Sequence, residues 1–357
     1  MGREAEMDKN NLTEELARAG SLAPSADNCQ PWRIEVGEGR LGVYAPSESF
    51  FFGPGDHATL LAMGAVAENI AQTADANSVR GRFEIGDLSS GDPYFTYHHD
   101  NVVEKLVIPQ GVIDRHTNRH PYSRSPLPLD LVSKIEATQE GMARVVVLSS
   151  REAIAEFGRI STKCSECRFQ NPELHRWLMD SHRFTPDAVA GGEGLDIQTL
   201  HLPPGGRAFM RFVKDWRRMA MLNKFGAYRL LARAEADVLL QSGAVLLIVG
   251  TNEGGRSAFD AGRLMERIWM ELNTLGWAVQ PAYVVPDQIN RMEARLLSSA
   301  INAVVGNAMV ALRRLAIQNP QDRIHLALRV GRPTHVPIRS RRRVPDESGS
   351  IPTKHRD

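Results

Sequence analysis

The chain has 357 residues, about two domain-sized units at roughly 150 residues each. Its 42% hydrophobic and 24% charged residues exclude a disordered or fibrous protein and leave enough chain to bury a large core. A formal net charge of +1 argues against a wholesale nucleic-acid binder, and no run of about 18 apolar residues offers a membrane span. The first eleven residues are polar, without the apolar core of a signal peptide, and match a myristoylation pattern only at Gly2, with Glu6 in place of the required hydroxyl. Three cysteines make no disulfide framework, so a reducing, cytoplasmic setting is expected.

Charge is unevenly spread. Residues 1–105 carry 8 Lys/Arg against 17 Asp/Glu, a net of −9, and residues 106–357 carry 35 against 25, a net of +10. Halves of opposite sign attract, and the basic one is the natural holder of an anionic group.

In chain order, residues 8–20 read as a helix, with Leu12 and Leu16 one turn apart. A loop at 21–31 leads to strands at 32–36 and 41–44 joined by a Gly-Glu-Gly-Arg turn. Helix 57–76 carries Leu60, Met63, Ala67, Ile70 and Ala74 on one face, and strands are expected near 80–86 and 102–108. A loop at 109–127 has four basic residues within Arg115–His120 and precedes helix 129–139, strand 144–148 and helix 151–168. Residues 181–206 are rich in Gly and Pro and lack a period, the mark of a functional or mobile loop. Helices resume to about 235, and Ala244–Gly250 reads as a strand buried on both faces. Helix 258–275 has the clearest apolar stripe, from Ala261 to Leu275, and ends at Gly276. Strands follow at 278–285 and 324–330, and the tail from Asp346 is polar. Gly64, Glu68 and Ile70 recur at the same offsets as Gly262, Glu266 and Ile268, a weak internal repeat that suggests two related halves.

Three segments carry candidate chemistry. The loop Ala23–Trp32, stiffened by Pro24 and Pro31, presents Ser25, Asn28 and Gln30 as small hydrogen-bonding groups suited to the edge of a planar heterocycle; the same composition also makes a generic turn. Arg115 and Arg119, with Thr117 between them, can converge on a phosphate or can form a solvated basic loop. A third basic cluster holds Arg339, Arg341, Arg342 and Arg343. Cys164 and Cys167 form a CxxC inside a helix without a second pair, which offers no metal site, and Cys29 is a reactive thiol or a small buried filler. No dinucleotide, triphosphate-binding or serine-hydrolase motif occurs.

Ala23–Trp32 resembles the APSxxNxQPW signature of the FMN-dependent nitroreductase superfamily. Arg115–Tyr122 resembles its RRSxRxF segment, with His116 and Thr117 replacing an Arg and the Ser, and Ala261–Tyr283 is similar to its long central helix and following strand. In the ordinary family the arginine segment comes first; here the proline-serine loop precedes it by some 90 residues. That order resembles the Acg-like branch, in which two half-domains form a pseudo-dimer in one chain, and Glu193–Pro204 is similar to a lid segment of that branch.

The resemblance implies an α+β nitroreductase-like fold with a mostly antiparallel sheet flanked by helices. Its half-domains would be 1–108 and 109–345, with a lid-like insertion at 181–206 and a flexible tail at 346–357. It implies FMN, with NAD(P)H as reductant. Arg115, His116, Thr117 and Arg119 would face the phosphate and ribityl chain, with Arg341 or Arg342 as the C-terminal phosphate partner. Pro24, Ser25, Ala26, Asn28 and Gln30 would line the ring system from the other half, and Gln280, Pro281 and Ala282 would approach its N5 edge. No side chain is assigned as catalytic, because the flavin carries the hydride. The expected partners are an electron-poor small molecule, and neither nucleic acid nor membrane; the chain would be a monomer by internal pairing, or a weak homodimer. The alternatives are a flavin-storing protein without turnover and a tailoring dehydrogenase whose substrate pocket is formed by residues 181–235.

Overall fold

A computed structural model describes residues 9–46, 51–53, 55–86, 91–100, 103–251, 254–317 and 319–343. The acidic half contributes α1 (Lys9–Ser21), β1 (Arg33–Gly37), β2 (Arg40–Tyr44), α2 (His57–Ala76), β3 (Gly81–Ile85) and β4 (Phe95–His99). Then come α3 (Gln110–Asp114), β5 (Tyr122–Ser123), α4 (Leu129–Ala137), β6 (Gln139–Glu140), β7 (Ala143–Leu148), α5 (Arg151–Arg168) and α6 (Pro172–Ser181). A short-element region follows: β8 (His182–Arg183), α7 (Pro186–Ala190) and β9 (Leu195–Asp196). Three helices, α8 (Gly206–Phe212), α9 (Trp216–Lys224) and α10 (Ala227–Leu240), lead to β10 (Ala244–Thr251) and the long α11 (Gly254–Thr274). The chain closes with β11 (Ala278–Ala282), α12 (Val284–Glu293), α13 (Ser299–Ala316) and β12 (Asp322–Pro333).

The fold is α+β with antiparallel sheets flanked by helices. One sheet, in order β1-β2-β4-β3, is wholly antiparallel. The larger sheet runs β11-β12-β10-β7-β6, also antiparallel, with β5 paired to β12. Strand β10 shows why its sequence is continuously apolar. Ala244, Leu246 and Ile248 enter the core shared with α2 and α11, while Val245, Leu247 and Val249 enter a second core with α5, α12 and α13.

The two long helices α2 and α11 cross at the repeated glycines. A Cβ on Gly64 would lie 2.1 Å from the Phe259 carbonyl oxygen, and one on Gly262 would lie 2.1 Å from that of Leu61. Only glycine on both sides permits this approach, so the weak sequence repeat is a reciprocal backbone contact. One turn beyond each glycine stands a carboxylate with no exposed surface, Glu68 and Glu266.

Three expectations need correction. The strand expected near 102–108 is absent from 103–108, and the pairing strand is β4, where the Phe95, Thr96 and Tyr97 run is buried against its neighbours. Helices α12 and α13 fill a stretch for which no helix is expected from the sequence. Residues 181–206 are not an open loop: β8 and β9 pair in parallel, and α7 lies between them.

The glycine crossing gives a direct test. Gly64→Ala and Gly262→Ala should each destabilise by about 1–3 kcal/mol through overpacking. Gly306→Ala in α13, where an added methyl meets only the Met292 sulfur at 4.0 Å, should stabilise by about 0.5–1 kcal/mol. Urea unfolding of the three variants would measure this, and equal small effects at all positions would refute the crossing argument.

Candidate functional site

A cavity of about 780 Å³ opens where the Ala23–Trp32 loop, the arginine segment, the end of β11 and residues 339–342 converge. Pro24, Ser25, Ala26, Asn28, Arg115, His116, Thr117, Arg119, Gln280, Pro281, Ala282 and Arg342 all line it. Gln30 does not, being fully buried behind the loop. Arg341 lines a separate cleft of about 410 Å³ beside Phe184 and Asp196.

The Ala23–Trp32 loop is a clasp. Asp27, Asn28 and Gln30 adopt left-handed backbone conformations, with φ of 48°, 58° and 48°, and the surrounding bonds maintain that costly geometry. Ser25 Oγ accepts from the Gln30 N–H at 2.8 Å. The Asn28 amide nitrogen donates to the carbonyls of Gly192, Gly194 and Arg341 at 3.2, 3.0 and 3.0 Å, and its oxygen accepts from Arg342. Gln30 donates to the Gly192 carbonyl at 2.8 Å and accepts from the Arg343 N–H at 3.0 Å. Both amides are therefore occupied with protein partners. They fasten residues 192–194 and 341–343 to the loop instead of addressing a heterocycle edge. Gly192, at φ +73°, is required there, because a Cβ would lie 2.2 Å from the Arg342 carbonyl oxygen.

The arginine segment divides by role. Arg115 is buried, with its Nε 2.7 Å from Glu266 Oε1, an Nη donating to the Leu22 carbonyl at 2.8 Å, and its plane over the Trp269 ring. It is committed within the protein, which differs from the expected direct phosphate contact. His116 shares its ring Nδ1 with the Asp114 carbonyl at 2.6 Å, and burial pulls its pKa down, so it adds little charge. Arg119 reaches Thr199 Oγ1 at 3.4 Å, and burial lowers its pKa. Burial lowers Arg342 to about 9, with Arg115 a further repulsive charge.

Arg329 completes this end of the cavity and is absent from the sequence expectations. It donates to Gln280 Oε1 at 2.6 Å and the His120 carbonyl at 2.8 Å, lies over the Tyr122 ring, and is held at about 10 by burial. Its signal was an arginine inside the mostly apolar strand run Ile324–Val330, which also holds His325. Among the described residues, Arg119, Arg329 and Arg342 form no ion pair. The basic end thus has four guanidiniums against two carboxylates, buried Glu266 and Asp27, the latter acting on Arg119, and such an excess attracts an anion.

The other end is largely apolar, walled by Leu174, Trp177, Met179, Met210, Val213, Met219, Leu231 and Leu239 on or next to α6 and α8–α10, with Arg168, His175, His182 and Glu235 as polar lining. Leu195, Leu200, His201, Leu202 and Pro203 roof it from the 181–206 segment. Tyr283 and Asp287 line the wall just beyond β11. The cysteines take no part: Cys29 is buried with its thiol pushed up, and Cys164 and Cys167 lie in the second apolar core, Cys167 raised to about 11 by burial. Among the described residues no group of His, Cys, Asp and Glu could hold a metal ion.

No family model matches the chain. Among curated proteins it is similar to the uncharacterized protein MT1398 of Mycobacterium tuberculosis, with 25% identity over 278 residues and 75% of this chain covered. The chain spans 38% of the length of that relative. Similar solved structures include an FMN-bound nitroreductase from Bacteroides fragilis (8% identity, 62% of this chain and 86% of that one, TM-score 0.34). Others are an FMN-dependent nitroreductase from Clostridium difficile (10%, 65% and 93%, 0.36) and the nitroreductase NfnB from Mycobacterium smegmatis in complex with NADPH (11%, 63% and 88%, 0.35).

Asn28→Ala should release the clasp. Amide exchange at residues 192–194 should quicken by about ten-fold or more, since a buried hydrogen-bond network worth roughly 1–3 kcal/mol is lost; unchanged exchange would mean the bonds do not hold the segment. Glu266 sets a pH dependence. Burial raises its pKa to about 7, against 4.5 ordinarily, while Arg115 and Arg342 pull it down. The folded state then holds a proton the unfolded chain has released, so this group's contribution to stability is complete below pH 4.5 and declines as pH rises to about 7. The melting-temperature difference between wild type and Glu266→Gln should change across that window and be constant above it; a constant difference throughout would refute the assignment.

Proposed function

We propose that the cavity holds one FMN per chain and that the protein is an NAD(P)H-dependent oxidoreductase of the nitroreductase superfamily, reducing an electron-poor small molecule. The observation that carries this reading is the cavity itself, with guanidiniums in excess at one end and an apolar chamber at the other. Its volume is that of a site for a cofactor-sized ligand. The excess charge suits a phosphate: Arg119 and Arg342 would hold it, with Thr117 beside them and Arg115 positioned by Glu266 beneath. Pro24–Ala26 and Gln280–Ala282 would enclose the ring system. When bound, the flavin supplies hydride transfer at N5. The chain's own residues orient it, exclude water and leave the apolar end for the organic substrate.

The halves 1–108 and 109–345 are read as an Acg-like internal pseudo-dimer, supported by the reciprocal glycine crossing of α2 and α11. One site is expected, because the related position at Glu68 is closed by Arg263 and Arg267, each of which also binds Glu140. A second reading, flavin storage without turnover, draws support from the clasp, which holds the chain next to Leu195 at the cavity wall.

FMN should bind at least ten-fold more tightly than riboflavin, at one per chain by its visible absorption. Arg119→Ala and Arg342→Ala should each weaken FMN about ten- to a hundred-fold, or roughly 1.5–3 kcal/mol, and leave riboflavin unchanged. Equal binding of the two flavins, or of neither, would overturn the phosphate reading. Anaerobic NADH and NADPH titration then separates the enzyme, whose flavin bleaches, from the storage protein, whose flavin does not.

A further inference from the structure

We propose that α8, α9 and α10 form a face that docks on the surface of an anionic lipid membrane. Residues 206–240 contain eight lysines and arginines against three acids, Asp215, Glu235 and Asp237, and all eight basic side chains are exposed. Half of the positive excess of residues 106–357 lies in this stretch, +5 of the +10.

The same helices expose apolar side chains. Phe225 is 86% exposed, Leu230 70%, Met221 50% and Phe212 45%. Phe225 stands at the α9–α10 turn, where Gly226 at φ +88° reverses the chain and presents the ring at the tip. Arg218 lies over the Phe212 ring and donates to its carbonyl at 3.2 Å, so charge and apolar surface are interleaved between α8 and α9. Exposed aromatic and aliphatic side chains among lysines and arginines are the pattern of a helix lying in a lipid interface, with the rings entering the acyl boundary and the cations meeting headgroup phosphates.

Charge complementarity selects an anionic bilayer. Lipid is favoured over nucleic acid because Leu230 and Met221 gain from an acyl boundary and offer no flat ring for stacking on bases. The expectation of no membrane partner rested on the lack of a spanning run. No described helix is long and apolar enough to cross a bilayer, and a surface contact needs none. The inference goes beyond the flavin reading and stands whether or not flavin binds.

The test is sedimentation of the full chain with vesicles of equimolar phosphatidylcholine and phosphatidylglycerol, or of phosphatidylcholine alone. Binding to the anionic vesicles should be at least ten-fold tighter and should weaken with salt. Phe225→Ser should reduce it roughly ten-fold, as should the double variant Arg217→Glu, Arg218→Glu. Circular dichroism would show that both retain the fold, as expected for exposed sites. Absence of binding, or binding unaffected by either variant, would overturn the proposal. So would selective binding of a single-stranded oligonucleotide indifferent to Phe225→Ser, or self-association abolished by that variant without vesicle binding.

Discussion

The backbone contact between α2 and α11 at Gly64 and Gly262 is the constraint on which the rest of the architecture depends. At the crossing itself no side chain fits between the two helices, and their other apolar residues pack into one core with β1, β2 and β4 and with β7, β10, β11 and β12. One core therefore runs from Leu12 and Trp32 through both helices to Leu246 and Leu328. The acidic and basic halves of the sequence are joined by this contact. Their opposite net charges favour the same docking at longer range.

The crossing also determines where buried charge stands. A carboxylate with no exposed surface is costly unless a cation accompanies it. Glu266 has Arg115 at 2.7 Å, and Arg115 in turn rests on Trp269 and the Leu22 carbonyl. This arrangement fixes the start of the arginine segment beneath the proline-serine loop, so the next arginine, Arg119, and the cavity between them have a defined place. The clasp of Asn28 and Gln30 then ties residues 192–194 and 341–343 to this loop and brings Arg342 to the same cavity. One helix contact, one ion pair and one strained loop thus assemble groups from four distant parts of the chain.

Much of this was legible in the sequence because it rests on local patterns. The α2 and α11 stripes and the buried run of β10 are read from the residue pattern alone, while the proline-flanked and arginine-rich segments gain a role only through the family resemblance. The repeat at Gly64 and Gly262 was visible as well, though its meaning as a contact needed three dimensions. What was not legible depends on partners far away in the chain. The roles of Asn28 and Gln30 are set by carbonyls more than 160 residues on, and Arg329 becomes part of the site only because β12 lies beside β11. Helices α12 and α13 were hidden because their apolar positions serve a core formed mostly by other elements.

The two glutamates beyond the crossing glycines differ in the charge around them. Glu68 and Glu266 occupy equivalent places, one turn past the crossing glycines, and both are fully buried. Glu68 is met by Arg263 and Arg267, and those two arginines are bound on their far side by Glu140. Charges there are matched two to two, and nothing is left to attract a further anion. Glu266 faces Arg115 with Arg342 nearby, while Arg119 and Arg329 stand along the same cavity with Asp27 as the acid acting on Arg119. Cations still outnumber acids, and the surplus persists in a place of low dielectric, where carbonyls, amides and ring faces stabilise it. A buried surplus of this kind is tolerated when an anion completes it. The balance of charge around two glutamates in like positions thus leaves a surplus of cations on the Glu266 side alone.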